Sequence, residues 1–193
     1  KVIEVEPLLK ESIDLSLAGS AISFTLEVKS PIPRIEADDA QIGQVFQNIL
    51  VNAMQAMKKG GNIAVTARKV TFHDAGPEGL PGGNYLEVVF SDNGPGIPSD
   101  YLKRIFDPYF TTKGTGTGLG LAMVYGIIQS HQGKIIVDSQ EGAGCTFRIF
   151  LPATEKTPVS EYIEQKTIEK QESTLNIQRV LLMDDEAAVR QIA

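Results

Sequence analysis

The chain has 193 residues, 42% of them hydrophobic and 22% charged, with a formal net charge of -6 at pH 7, which is enough material for one well-buried domain and a little more. Residues 1–152 carry 13 Lys and Arg against 16 Asp and Glu, an acidic balance that argues against a nucleic-acid surface. No apolar run approaches the ~20 residues of a membrane-spanning helix, so no direct membrane contact is expected; a single cysteine, Cys145, and two histidines, His73 and His131, leave no internal disulfide and no Cys/His metal cluster, and suit a reducing cytoplasm. The opening Lys1-Val2-Ile3-Glu4 has neither a methionine nor the layout of a signal peptide, as expected of a segment cut from a longer protein.

In chain order, residues 7–18 open with Pro7 and end before Gly19, the punctuation of a short helix. The alternation of Ile22, Phe24, Leu26 and Val28 predicts a strand with one buried face. After Pro31 and Pro33, Asp38 or Asp39 can cap a long helix over about 40–57, whose apolar stripe is Ile42, Val45, Phe46, Ile49, Leu50, Ala53, Met54 and Met57. Strands are expected at 62–70, 85–90, 134–137 and 145–151, a Pro/Gly-rich hairpin loop at 73–84, and a helix at 119–129. His131, just past that helix, is read as structural, placed where a helix dipole favours it. Beyond Pro152 the composition turns to Glu, Lys, Gln, Ser and Thr, which predicts a linker over 153–178, part of it helical at 161–172. Residues 179–183 (Arg-Val-Leu-Leu-Met) then form a short apolar strand running into Asp184-Asp185-Glu186, the start of a second α/β domain.

Three constellations carry chemistry. Lys113-Gly114-Thr115-Gly116-Thr117-Gly118-Leu119-Gly120-Leu121 places unshielded backbone amides directly before a helix, the make-up of a phosphate cradle. It is not a Walker A loop, because Lys113 precedes the glycines, and no strand precedes it as a dinucleotide fingerprint would require. Lys113 is placed to meet a terminal phosphate, or is an ordinary surface lysine. On the long helix Asn48, Asn52 and Gln55 share a face; two asparagines four residues apart serve helix stability poorly, but their amide oxygens are hard ligands suited to Mg2+. A solvated polar face is the alternative. Asp92-Asn93-Gly94-Pro95-Gly96-Ile97 follows a strand, where a carboxylate can accept from an exocyclic amine while glycines admit a flat base; the same residues also make a plain turn. The aromatics of Phe106-Asp107-Pro108-Tyr109-Phe110 belong either to a lid that docks over ligand or to the core.

The order of these motifs resembles the catalytic ATP-binding domain of bacterial sensor histidine kinases, within the GHKL superfamily of type II topoisomerase, heat-shock chaperone and mismatch-repair ATPases. Residues 44–53 (Gln-Val-Phe-Gln-Asn-Ile-Leu-Val-Asn-Ala) look like its N box, Asp92-x-Gly94-x-Gly96 its G1 box, Phe106 to Lys113 its F box and Gly116-Thr-Gly118-Leu-Gly120-Leu its G2 box. The Ala-Met-Gln-Ala-Met sequence after Asn52 and the Phe-Asp-Pro-Tyr-Phe-Thr-Thr-Lys loop are similar to the nitrogen-regulatory subgroup. The resemblance covers roughly 1–152 and implies a two-layer α/β sandwich, the Bergerat fold, with a mixed sheet and helices packed on one face. It implies ATP and Mg2+ as ligands, Asn52 as the Mg2+ ligand with Asn48 its neighbour, Asp92 as the adenine-reading carboxylate, and Thr146 as its support. Gly94, Gly96 and Ile97 would border the base, and Lys113, Gly114, Thr115, Gly116, Thr117, Gly118, Leu119 and Gly120 the phosphates. Gln55 stands where many members carry Lys, with Lys58 a candidate substitute.

The implied activity is transfer of the ATP γ-phosphoryl group to a histidine on a dimerisation domain that these 193 residues do not include, so Asn48 is the one residue considered for a direct catalytic part. Hydrolytic members of the superfamily place a glutamate where Asn48 stands, and an amide cannot act as a general base. A nucleotide-binding signalling module, or a GHKL ATPase without histidine kinase activity, is the alternative. The segment 180–186 resembles the first strand of a response-regulator receiver domain, with Asp184 and Asp185 matching its metal-binding acidic pair; this implies a hybrid kinase with a receiver as partner.

Overall fold

The computed structural model describes residues 1–113 and 116–156. The expected linker beyond 156, the receiver-like strand with Asp184 and Asp185, and Gly114 and Thr115 of the glycine run lie outside the described residues.

The sheet is built from β1 (Val2–Ile3), β2 (Ile22–Lys29), β3 (Arg34–Glu36), β4 (Gly61–Ala75), β5 (Pro81–Asp92), β6 (Lys134–Gln140) and β7 (Gly144–Thr154). Its order is β1-β3-β7-β5-β4-β2, with β6 also paired to β7; β2 and β4 run parallel and every other pair is antiparallel. The helices are α1 (Val5–Leu17), α2 (Asp39–Ala56), the single turn α3 (Ser99–Leu102) and α4 (Gly120–Ser130). The mixed sheet with its helical layer is the α/β sandwich expected from the sequence.

Helix α2 is central. Asp38 caps it, its carboxylate accepting from Gln41 N at 3.0 Å, and the stripe Ile42, Val45, Phe46, Ile49, Leu50 and Ala53 is buried between α1, α4 and the sheet. Phe46 meets Phe90 of β5 with ring centroids 5.6 Å apart. Leu86, Val88 and Phe90 of β5 and Cys145, Phe147, Ile149 and Leu151 of β7 line the helix side of the sheet, so Asp92, two residues past Phe90, points to the same side.

Three expectations change. The 73–84 loop is mostly strand: β4 and β5 stay paired to Phe72↔Gly83 and, past a bulge, to Ala75↔Pro81. The reason is a second apolar cluster on the outer face, Leu80, Tyr85, Ile136 and Phe150 with Val70 and Phe72, in which the Phe72 ring lies 5.9 Å from both Tyr85 and Phe150. Packing thus outweighs the turn-rich composition. Strand β6 runs on to Gln140, three residues past the expected end, because its pairing with β7 continues to the turn at Gly144. In β2 the alternation holds, but Phe24 is 45% exposed, since β2 is an edge strand.

Candidate functional site

Each motif is carried to the same end of the sandwich by a different element. Helix α2 presents Asn48, Asn52 and Gln55; the C-terminus of β5 presents Asp92; and the chain entering α4 brings in the glycine run. A Cβ on Gly120 would lie 3.8 Å from Asn48 Oδ1, so the first turn of α4 stands beside the asparagine face of α2. Asn48 Nδ2 also reaches Met123 Sδ, 3.9 Å away. No side chain caps α4, which leaves its first amides free for an anion.

Asp92 lies beside an apolar wall formed by Ile49, Leu50, Ala53, Ile63, Phe90 and Phe147. Burial pushes its carboxyl above the ordinary carboxylate range, opposed by the Gly94 amide, which donates to Oδ1 at 2.9 Å, and by the Cys145 amide. One carboxylate against an apolar wall is suited to orient a flat heterocycle with an exocyclic amine.

The glycines have more particular duties than a flat base would need. A Cβ on Gly96, at φ 70°, would sit 2.1 Å from Gln140 O, and one on Gly144 2.0 Å from Asp92 O, so both glycines let the Asp92–Ile97 loop press against the β6–β7 turn. The loop is pinned there by Gly142 N donating to Pro95 O at 2.7 Å and Ile97 N donating to Ser139 Oγ at 2.8 Å. Gly94 instead guards the carboxylate: a Cβ there would lie 2.8 Å from Asp92 Oδ1.

Thr146 is a correction. Register pairs it with Ser91, not Asp92, and its hydroxyl lies 2.9 Å from Ser91 Oγ. Successive strand side chains alternate, so Thr146 stands on the outer face of the sheet. The residue across from Asp92 is Cys145, whose thiol is pushed up to about 12, chiefly by burial. Composition alone did not bring out Cys145 or Ser139; the spacing that pairs Cys145 with Asp92 depends on the β5–β7 register.

Phe106 and Phe110 pack against the core, Phe106 on Tyr125 at 5.3 Å and Phe110 between Tyr101 at 5.6 Å and the Arg104 guanidinium at 4.7 Å. Tyr109 is 76% exposed. Gly118, at φ 69°, accepts from Tyr109 N at 3.0 Å, and a Cβ on it would strike Tyr109 C at 2.4 Å. Gly116 N donates to Lys113 O at 3.2 Å, Thr117 is exposed, and Leu119 is the residue before α4. Lys113 Nζ donates to Asn52 Oδ1 at 2.7 Å and to Gln55 Oε1 at 3.1 Å; Lys58 makes no such contact, but its charge acts on Lys113. His131 bridges the helices differently from a dipole partner: Nδ1 lies 2.8 Å from Ile127 O, while Nε2 accepts from Asp38 N at 3.1 Å.

Among the described residues no helix is long and apolar enough to cross a membrane, and no group of three His, Cys, Asp or Glu could hold a metal.

Comparison with known proteins identifies the family. Residues 37–155 match the family described as histidine kinase-, DNA gyrase B-, and HSP90-like ATPase. The chain is 40% identical over 185 residues to the sensor kinase CckA of Brucella abortus, with 90% of this chain and 19% of that protein covered. It is 37% identical over 163 residues to the sensor histidine kinase ZraS of Escherichia coli, with 82% and 32% covered. It therefore spans a third or less of the length of these relatives. Among solved structures, the catalytic domain of the histidine kinase ThkA matches with a TM-score of 0.66 at 31% identity, over 80% of this chain and 95% of that one. Full-length ShkA in complex with AMPPNP matches with a TM-score of 0.65 at 28% identity, over 82% of this chain and 32% of that one. With the asparagines on α2, the carboxylate at the end of β5 and the glycine run at the head of α4 gathered at one end of the sandwich, the chain belongs to the histidine kinase-, DNA gyrase B- and HSP90-like ATPase family.

Proposed function

We propose that this chain is the ATP-binding catalytic part of a two-component sensor histidine kinase, which transfers the γ-phosphoryl group of ATP to a histidine on a dimerisation domain. The observation that carries the reading is the convergence of Asp92 beside its apolar wall, Asn48 and Asn52 on α2, and the uncapped first turn of α4. A purine laid against that wall would donate its amine to Asp92, and the phosphates would lie toward the amides of Gly116 to Gly120.

The donor set fits a hard divalent cation, for Asn52 Oδ1 already faces a cation, the Lys113 ammonium at 2.7 Å. Mg2+ held by Asn52 and the phosphates would neutralise the charge that develops during transfer. Phosphoryl transfer asks the protein chiefly for position and electrostatics, and this site offers amides, an amide oxygen and an ammonium, while the amide of Asn48 cannot take a proton from water. The same reading extends to the nitrogen-regulatory subgroup, on the Phe106 to Lys113 sequence, and to a receiver domain beginning near 179, on the Val180 to Glu186 sequence, which would make the parent a hybrid kinase acting with a response regulator.

The test is twofold. Calorimetry with ADP should give Mg2+-dependent binding that Asn52→Ala weakens by about tenfold or more, the worth of a charge-assisted contact. Incubation with ATP and a separately made histidine-bearing domain should then give acid-labile phosphohistidine. Binding without transfer would identify a nucleotide-binding module, and steady hydrolysis lost in Asn48→Ala would identify an ATPase.

A further inference from the structure

The contact between Lys113 and α2 joins residues 61 apart and uses the donors of the ammonium fully. Nζ meets Asn52 Oδ1 at 2.7 Å, Gln55 Oε1 at 3.1 Å and the main-chain oxygen of Asn52 at 3.4 Å. An ammonium has three protons, and here three oxygens from one turn of α2 receive them. The backbone behind it is set as well. Thr111 Oγ1 accepts from Lys113 N at 3.0 Å and donates to Lys113 O at 3.2 Å, so residues 111–113 form a compact hook whose tip is the ammonium. The side chain is half-buried, and burial, with the charge of Lys58 second, pushes its ammonium below the ordinary lysine range. A lysine that is partly desolvated and disfavoured in its charged form stays in place because the amide oxygens of Asn52 and Gln55 hold it.

Asn52 Oδ1 is also the atom that the reading above gives to Mg2+. A Mg2+–oxygen bond is about 2.0–2.1 Å, so a cation on that oxygen would stand no more than about 4.8 Å from an ammonium 2.7 Å from the same atom. Two cations do not share one neutral amide oxygen at that range when one of them has a flexible stem and can leave. We propose that Lys113 and the divalent cation are alternative occupants of Asn52 Oδ1. Lys113 is then a latch that fastens the Thr111–Lys113 hook to α2, and metal-bound nucleotide opens it by displacing the ammonium. Gln55 is the second hold of the latch and acts through Lys113 as a positioning residue. The displaced ammonium stays tethered two residues from Thr111, at the edge of the glycine run, so opening the latch delivers a positive charge to the phosphates. This rests on the reading of Asn52 as the metal ligand.

The experiment uses the whole chain in wild-type form and as Asn52→Ala, Lys113→Met and Gln55→Leu. All three positions are at least partly exposed, and a thermal melt of each variant checks that it is folded. Amide hydrogen exchange without nucleotide is expected to speed up at least threefold over residues 106–113 in both Lys113→Met and Gln55→Leu. The Mg2+ midpoint for ADP binding, read by calorimetry at fixed nucleotide, is expected to fall at least threefold in Gln55→Leu, which loosens the latch and keeps the ammonium. Mg2+ dependence that survives Asn52→Ala overturns the metal reading and the latch with it. Dependence lost in Asn52→Ala, with exchange and midpoint both unmoved in Lys113→Met and Gln55→Leu, overturns the latch alone and leaves the nucleotide site standing.

Discussion

Asp92, the residue proposed to read the base, is held where its charge is costly to the fold. Its carboxyl is held above the ordinary range by burial, so the native state favours the protonated acid more than the unfolded chain does. Stability from this group is therefore lost as pH rises from the ordinary carboxylate range through the raised value, and at neutral pH the ionised side chain is a net cost. Asn at this position keeps an oxygen for the Gly94 amide, which donates to Oδ1 at 2.9 Å, and carries no charge to desolvate. Asp92→Asn is expected to raise the thermal midpoint at pH 7 by about 1–3 °C, a gain that vanishes as pH falls through the carboxylate range. The same change should weaken ADP about tenfold or more, because a charge-assisted acceptor becomes a neutral one. Melting curves against pH and calorimetry read the two effects separately; unchanged affinity would remove Asp92 from base recognition.

The elements differ in how much of them local sequence determines. Helix α2 was legible almost to the residue, because Asp38, the apolar stripe and the run of helix formers agree with one another. The asparagine face was legible for the same reason, since i, i+4 spacing alone puts Asn48 and Asn52 side by side. The β4–β5 hairpin was not: Pro77, Gly79, Pro81, Gly82 and Gly83 describe a loop, and only the packing of Phe72 against Tyr85 and Phe150 makes the flanks strand. The partners of Lys113, Gly96 and Thr146 were hidden likewise, each being set by a contact or register between distant segments. Where α2 begins, two helices are joined, since Asp38 caps α2 with its side chain while its amide is taken by His131 at the end of α4. Asp38→Ala keeps that amide and removes the cap, so it is expected to cost about 1 kcal/mol in urea unfolding, with the m-value unchanged. No loss would mean that water serves the Gln41 amide equally well.

At the scale of the molecule, the proposed transfer to a histidine on another domain needs a surface near the phosphates. Among the described residues four of the seven exposed large apolar side chains lie on the loop entering α4 or on α4 itself, while Leu15 of α1, Phe24 of β2 and Tyr101 of α3 lie elsewhere. Of the four, Tyr109 is 76%, Tyr125 43%, Met123 41% and Leu119 38% exposed. Tyr109 is also at φ 67°, a backbone conformation that an aromatic residue adopts only under constraint. The amide of Tyr109 donates to Gly118 O, so a domain seated on its ring would bear directly on the glycine run. Strain and exposure together at one aromatic mark a contact residue better than either does alone, for the core would have bought neither. Removing the Tyr109 ring takes nothing from the apolar wall beside Asp92. Tyr109→Ala is therefore expected to bind ADP within about twofold of the wild type and to lose about tenfold or more in the rate of phosphoryl transfer to a separate histidine-bearing domain, the range of an aromatic hot spot. A matched fall in both readouts would place Tyr109 with the nucleotide loop, and unchanged transfer would move the docking surface elsewhere on the molecule.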